Sequence, residues 1–282
     1  LFFADALTGI GYRTSTDAHL TIIAARSGSA RRAIVVFPGY VMPGLTLAQA
    51  FAPFVADNDV LLVVDYAERG VDVPQICETI LEALKAVKPD ELRVYGASMG
   101  GMLSKLFLDH YRQAGEPYGR VVLVLDSAPA SWINIKRPSF LFDVSCWYHG
   151  GILSSAIWAG ISALTPKAPS DKYATQSIVR AARRGGAWVG MPAVTSQACF
   201  IREFAPLRSG ELVDTAENVI FLQGEFPDDD PVVRISEAIN GWRVAFPNLT
   251  VVTVQARKGR WHLPLVEYPR QTVRALASSP RR

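Results

Sequence analysis

The stretch Leu92-Arg93-Val94-Tyr95-Gly96-Ala97-Ser98-Met99-Gly100 decides how the chain is read. Its first four residues have the β-rich character of a strand. The next five form a G-x-S-x-G pentapeptide, and Gly100 to Tyr111 then continues with apolar residues at helical spacing. A serine at such a junction sits on a sharp strand-to-helix turn, and a glycine two residues away on either side lets the backbone pack closely enough to make it. In an open α/β sheet that turn falls at the carboxyl edge of the strands, where ligands bind, so Ser98 is a candidate nucleophile. The competing reading is an ordinary turn with a helix-capping serine.

On both sides of this junction, short continuous apolar runs alternate with helical stretches. Ala33 to Phe37, Val60 to Asp65, Leu92 to Tyr95 and Val121 to Leu125 suit strands buried on both faces, with an edge strand from Leu20 to Ala24 before them. Leu45 to Ala56, Pro74 to Val87 and Gly100 to Tyr111 read as the intervening helices. The pattern resumes with Val219 to Leu222, a helix from about Val232 to Phe246, the strand Leu249 to Val254 and a closing helix from Pro264 to Leu276. Strand and helix in succession imply right-handed crossovers and a mostly parallel central sheet flanked by helices, an α/β fold.

The alternation breaks between residues 130 and 216, a segment punctuated by Pro and Gly and rich in aromatics. The expected organisation is a core from 1–129, an inserted cap or lid over 130–216, and the rest of the core over 217–282. From Val144 to Leu164 there is no Asp, Glu, Lys or Arg. That run is read as a buried cap helix or helix pair, with a surface dipping into lipid as the competing reading and a true membrane span as the third. The cap's Trp132, Phe140, Phe142, Trp147, Tyr148, Trp158 and Trp188 suggest an apolar lid suited to an acyl chain.

The nucleophile turn within this pattern resembles that of the α/β-hydrolase superfamily, over almost the whole chain outside the cap. The resemblance implies an acid after the strand that follows the cap and a histidine after the last strand. Gln223-Gly224-Glu225-Phe226-Pro227-Asp228-Asp229-Asp230-Pro231-Val232-Val233 and Arg260-Trp261-His262-Leu263-Pro264 occupy those places. Asp230 is preferred as the acid because a Pro and an apolar pair follow it, while Asp228 better fits the usual distance from Gly224. Asp126, at the end of the strand after the nucleophile, is a further alternative, since some family members draw the acid from there. The resemblance also implies an oxyanion hole from the amide of Met99 and that of Tyr40, in the loop Phe37-Pro38-Gly39-Tyr40.

Ser is a poor nucleophile until an imidazole takes its proton, and His262 is expected to be that base. His19 lies before the edge strand, His110 ends the helix after Ser98 and His149 lies in the cap; each fits surface or packing roles better. Of the 282 residues, 29 are Lys or Arg and 26 Asp or Glu, a net charge of +3 with 49% hydrophobic residues. This excludes a disordered chain and gives no argument for nucleic acid binding. The Arg pairs at 31–32, 183–184 and 281–282 are scattered and read as solvated faces. No phosphate-cradling glycine motif occurs, and the four histidines have no metal-ligand spacing, so neither cofactor nor metal is expected. Cys77, Cys146 and Cys199 are few, odd in number and far apart, which supports no disulfide framework. No intact signal peptide is read at Leu1-Phe2-Phe3, leaving cytoplasmic or membrane-associated locations open.

The expected function is therefore a cofactor-independent serine hydrolase acting on esters or thioesters of a small or lipid-like acyl substrate, with peripheral membrane contact through the cap kept as the competing reading of that segment. An amidase or peptidase on the same fold, and a non-catalytic binding module, are the alternatives. Oligomeric state is left open.

Overall fold

A computed structural model describes residues 18–23, 30–66, 70–115, 119–148, 151–154, 156–157, 160, 191–210, 215–255 and 262–278. Seven strands form one sheet: β1 (His19–Ile23), β2 (Arg32–Phe37), β3 (Asp59–Asp65), β4 (Glu91–Ala97), β5 (Arg120–Asp126), β6 (Asn218–Gly224) and β7 (Thr250–Val254). Their spatial order is β1-β3-β2-β4-β5-β6-β7. Every neighbouring pair is parallel except β1 with β3, where His19 faces Asp65 in an antiparallel edge. Phe37 pairs with Gly96, and Gly96 with Leu125, so the carboxyl ends of β2, β4 and β5 are level.

Alternate strand residues feed two apolar layers, as the period of two requires. Val35, Phe37, Val94, Leu123, Leu125 and Phe221 pack with helices α2 (Val73–Val87), α3 (Met99–Gln113) and α6 (Ile235–Ala245), the last contributing fully buried Trp242. Val36, Val63, Tyr95, Val124 and Leu222 pack on the opposite face with α1 (Gly44–Phe51) and with Leu265 of α7 (Pro264–Glu267). Helix starts follow local chemistry: Asp72 accepts the Gln75 amide at 3.0 Å and Pro74 stands in the first turn of α2. Asp65 accepts the Gly44 amide at 2.7 Å and so anchors the start of α1.

Two expected helices end differently. α1 stops at Phe51 and gives way to a 3-10 turn over Ala52–Phe54, because Pro53 lacks the amide that would continue the α-helix. The closing helix is broken into α7 and α8 (Pro269–Ser278): Pro269 disfavours the helical conformation at Tyr268, which adopts φ −133° and ψ 57°.

Between β5 and β6 the described residues include helices α4 (Ser139–Trp147) and α5 (Met191–Glu203), which pack together. Cys146 and Cys199 join them in a disulfide with Cα atoms 4.7 Å apart, which corrects the expectation drawn from cysteine spacing. The separation of 53 positions hides a pairing that only the packing of two helices creates. With exposed Glu203, these sulfurs form the one cluster of metal-ligand spacing among the described residues, and the disulfide leaves no thiolate there.

The uncharged run is also corrected where it is described. Phe140 and Trp147 are 60% and 69% exposed, and Leu141, Val144, Ile152, Leu153 and Ile157 are exposed with them, while Phe142 and Tyr148 point into the protein. The expected burial thus fails at Val144, Trp147, Ile152, Leu153 and Ile157, and within α4 only Phe142 is buried. No helix among the described residues is long and apolar enough to cross a membrane. Trp158, Trp188, His149 and the Arg pairs at 183–184 and 281–282 lie outside the described residues.

Candidate active site

Ser98 stands between β4 and α3 with φ 49° and ψ −119°, a backbone conformation that L-residues rarely adopt. The neighbours hold it there. The Ser98 amide donates to the Asp126 carbonyl at 2.9 Å, and the Gly101 amide donates to the Ser98 carbonyl at 2.9 Å. A methyl group on Gly96 would lie 2.5 Å from the Gly101 Cα, and one on Gly100 would lie 2.0 Å from the Phe37 carbonyl oxygen. Both glycines of the pentapeptide are therefore required by contact: α3 sits directly on β4, and the turn sits directly on the end of β2. The strained conformation, worth about 1–3 kcal/mol in such cases, persists because these surroundings over-determine it.

The loop after β6 forms a 3-10 turn over Pro227–Asp229, leaving Asp228 exposed and Asp230 buried. Asp230 Oδ1 accepts the amides of Val232 at 2.8 Å and Val233 at 2.9 Å. The Asp230 carboxylate lies 2.9 Å (Oδ2) and 3.1 Å (Oδ1) from His262 Nδ1. Lys136 fastens the same loop, donating to the carbonyls of Asp228 at 3.0 Å and Asp230 at 2.8 Å. His262 Nε2 is buried and has no hydrogen-bond partner among the described residues. Burial opposes protonation of this imidazole, but the charge and hydrogen bond of Asp230, with Asp126 and Glu267 beyond, outweigh it and hold the His262 pKa above its ordinary value.

Across the turn, Gly39 brings the loop after β2 against Ser98: a methyl group there would lie 3.3 Å from Ser98 Cβ. Tyr66 secures that loop by donating its hydroxyl hydrogen to the Pro38 carbonyl at 2.7 Å. The backbone amides of Tyr40 and Met99 have no acceptor among the described residues.

No protein-family model matches the chain, and no curated protein matches it in sequence. Solved structures do match. An esterase from Exiguobacterium antarcticum superposes with a TM-score of 0.63 at 14% identity, over 93% of this chain and 94% of that one. An enzyme described as degrading N-acyl homoserine lactones gives 0.62 at 14% identity over 93% and 96%. The type II thioesterase BorB from the borrelidin biosynthetic cluster gives 0.51 at 15% identity over 84% and 87%. The chain has the α/β-hydrolase fold.

In this α/β-hydrolase fold neither alternative acid has a hydrogen bond to the His262 ring, which Asp230 holds. Asp228 is exposed, and its carbonyl is held by Lys136. Asp126 is fully buried, with Oδ2 accepting the Tyr95 hydroxyl hydrogen and the Leu265 amide, the latter at 3.2 Å. It therefore ties β4 and β5 to the start of α7, three residues beyond His262. Burial pushes its carboxyl up to about 7, against the lowering effects of Tyr95, Leu265 and His262. Glu267 is also pushed up by burial to about 7, against the lowering effects of the His262 backbone and ring. Sequence reasoning gave Glu267 no role; its only signal is its place one turn beyond the histidine. His19 is exposed on β1 and His110 lies within α3, consistent with surface and packing roles.

Proposed function

We propose that the chain is a serine hydrolase that cleaves carboxylic ester or thioester bonds of lipophilic acyl substrates. The observation that carries this reading is the pairing of buried Asp230 with His262 Nδ1, which leaves Nε2 unpartnered while Ser98 is held in a strained turn. Ser98 Oγ attacks the carbonyl carbon as His262 Nε2 takes its proton. Asp230 keeps the remaining ring proton on Nδ1 and stabilises the imidazolium. The amides of Tyr40 and Met99 receive the oxyanion, and collapse of the tetrahedral intermediate expels the alcohol or thiol, protonated by His262. Water, deprotonated by His262, then attacks the acyl-enzyme and releases the acid.

The esterase, thioesterase and lactone-degrading neighbours support the ester class of substrate. The segment over 130–216 is the cap in this reading. Exposed Phe140, Val144 and Trp147, spaced to share one side of α4, with Lys136 and Arg137 exposed just before it, support peripheral contact with an anionic lipid surface.

The test is Ser98→Ala, which replaces a hydroxyl without disturbing the core. The variant is expected to keep its melting midpoint, lose p-nitrophenyl ester turnover by about 10³-fold or more, and lose labelling by a fluorophosphonate probe. Retained turnover would put the chemistry elsewhere, and faster cleavage of matched amides than esters would favour an amidase. Absence of both turnover and labelling in folded wild-type protein would favour the binding module.

A further inference from the structure

Val41 is a β-branched residue with φ 55°, beside the residue whose amide the proposed reaction uses. A left-handed conformation is unfavourable for such a side chain, and something must hold it. The holding groups come from the opposite end of the sequence. Gln197, buried in α5, accepts the Val41 amide at 2.7 Å through Oε1. One turn earlier on α5, the Val194 carbonyl accepts the Tyr40 hydroxyl hydrogen at 3.1 Å. Positions 194 and 197 share one face of the helix, so α5 grips two consecutive residues of the loop after β2. Cys199, two residues beyond Gln197, ties the same helix to α4.

We propose that Gln197 is a positioning residue for the oxyanion hole: its side-chain oxygen fixes the peptide between Tyr40 and Val41, and through it the direction of the Tyr40 amide. The inference rests on the reading of Ser98 and Tyr40 given above. It makes the segment over 130–216 part of the catalytic architecture, because one of its helices also sets the oxyanion donor. Loss of the Gln197 acceptor leaves the Val41 amide without its partner. The loop then relaxes toward ordinary φ values, and the Tyr40 amide turns away from the reacting oxygen. Substrate binding in the ground state depends little on that amide, so the loss falls on kcat rather than KM.

The test compares Gln197→Met, which matches the length of the side chain but provides no comparable acceptor, with Gln197→Glu, which keeps an oxygen in the same place, and Ser98→Ala as reference. With a p-nitrophenyl ester, Gln197→Met is expected to lower kcat about 10- to 100-fold with KM within threefold, as a misdirected donor would. Gln197→Glu is expected to recover kcat to within about fivefold of wild type. Tyr40→Phe removes the other half of the grip and keeps the amide; it is expected to lower kcat about threefold to tenfold at constant KM, and it serves if Gln197→Met does not fold. Wild-type kcat in Gln197→Met, or equal losses in Met and Glu variants that track their melting midpoints, would overturn the role of Gln197 while leaving Ser98 in place. If Ser98→Ala itself retained turnover, the underlying reaction and the inference built on it would fall together.

Discussion

Replacing Asp230 by Asn separates the chemistry of the site from its architecture. The substitution keeps an oxygen for the Val232 and Val233 amides, which Oδ1 accepts at 2.8 and 2.9 Å, so the loop retains its own hydrogen bonds. The atom nearest His262 changes from Oδ2, 2.9 Å from Nδ1, to an NH₂ group that can only donate. Nδ1 must then accept, the ring proton moves to Nε2, and in the proposed reaction the imidazole offers Ser98 a hydrogen instead of a lone pair. A tautomer error of this kind costs on the order of 10³- to 10⁴-fold in kcat with little change in fold. The pH dependence supplies a second readout. The proposed reaction needs neutral His262, whose pKa is held above the ordinary value mainly by Asp230 working against burial. Turnover of the wild type should therefore rise with pH along a limb above about 6.5, and the residual activity of Asp230→Asn should rise along a limb shifted downward. Initial rates with a p-nitrophenyl ester from about pH 5 to 9, with melting midpoints measured alongside, give both quantities. Asp228→Asn is the control, expected within about twofold of wild type because Asp228 is exposed and away from the ring. Retention of more than about a tenth of kcat in Asp230→Asn, or an equal loss in Asp228→Asn, would refute the assignment of the acid.

Four other outcomes follow from the geometry. Gly100→Ala places a methyl group 2.0 Å from the Phe37 carbonyl oxygen and 2.8 Å from that of Pro38, both backbone atoms. The loop carrying Tyr40 must retreat by about 1 Å, so kcat should fall about 100-fold; an unimpaired enzyme would contradict the packing of the turn. Alkylation under denaturing conditions, followed by mass measurement, should label only Cys77 before reduction and all three cysteines after it. The Cys146–Cys199 bond closes a long loop, worth up to about 4 kcal/mol by chain entropy, so Cys146→Ser should lower the thermal midpoint measurably, and an unchanged midpoint would deny the link. Trp147→Ser, which removes a side chain that is 69% exposed, should weaken sedimentation with anionic phospholipid vesicles by roughly tenfold, leaving turnover of a soluble short-chain ester unchanged; equal binding by both proteins would exclude this patch as the contact.

What the sequence discloses here is what neighbouring residues dictate to one another. The runs that became β2 to β5 are legible because strands covered on both faces must be continuously apolar, and the observed strand ends lie within two residues of those runs. The Ser98 turn is legible because its glycines answer a local steric demand, which the 2.0 Å approach at Gly100 makes explicit. Choosing among three consecutive aspartates is harder, since all have the same chemistry and differ only in where a 3-10 turn directs them. That turn occupies Pro227–Asp229, and the chain leaves it extended at Asp230, with φ −56° and ψ 121°, so the third carboxylate alone is buried beside His262. Gln197, Glu267 and the Cys146–Cys199 pair lie further still from sequence-level reasoning. Nothing in the residues around position 197 distinguishes a buried acceptor from a helix glutamine; its partner at Val41 is 156 positions away and is needed only because Val41, in the loop after β2, adopts a conformation valine ordinarily avoids. Strain that the local sequence cannot support is therefore a guide to distant positioning residues: each left-handed non-glycine residue beside the site has to be held by a contact, and following that contact leads to a side chain no motif contains.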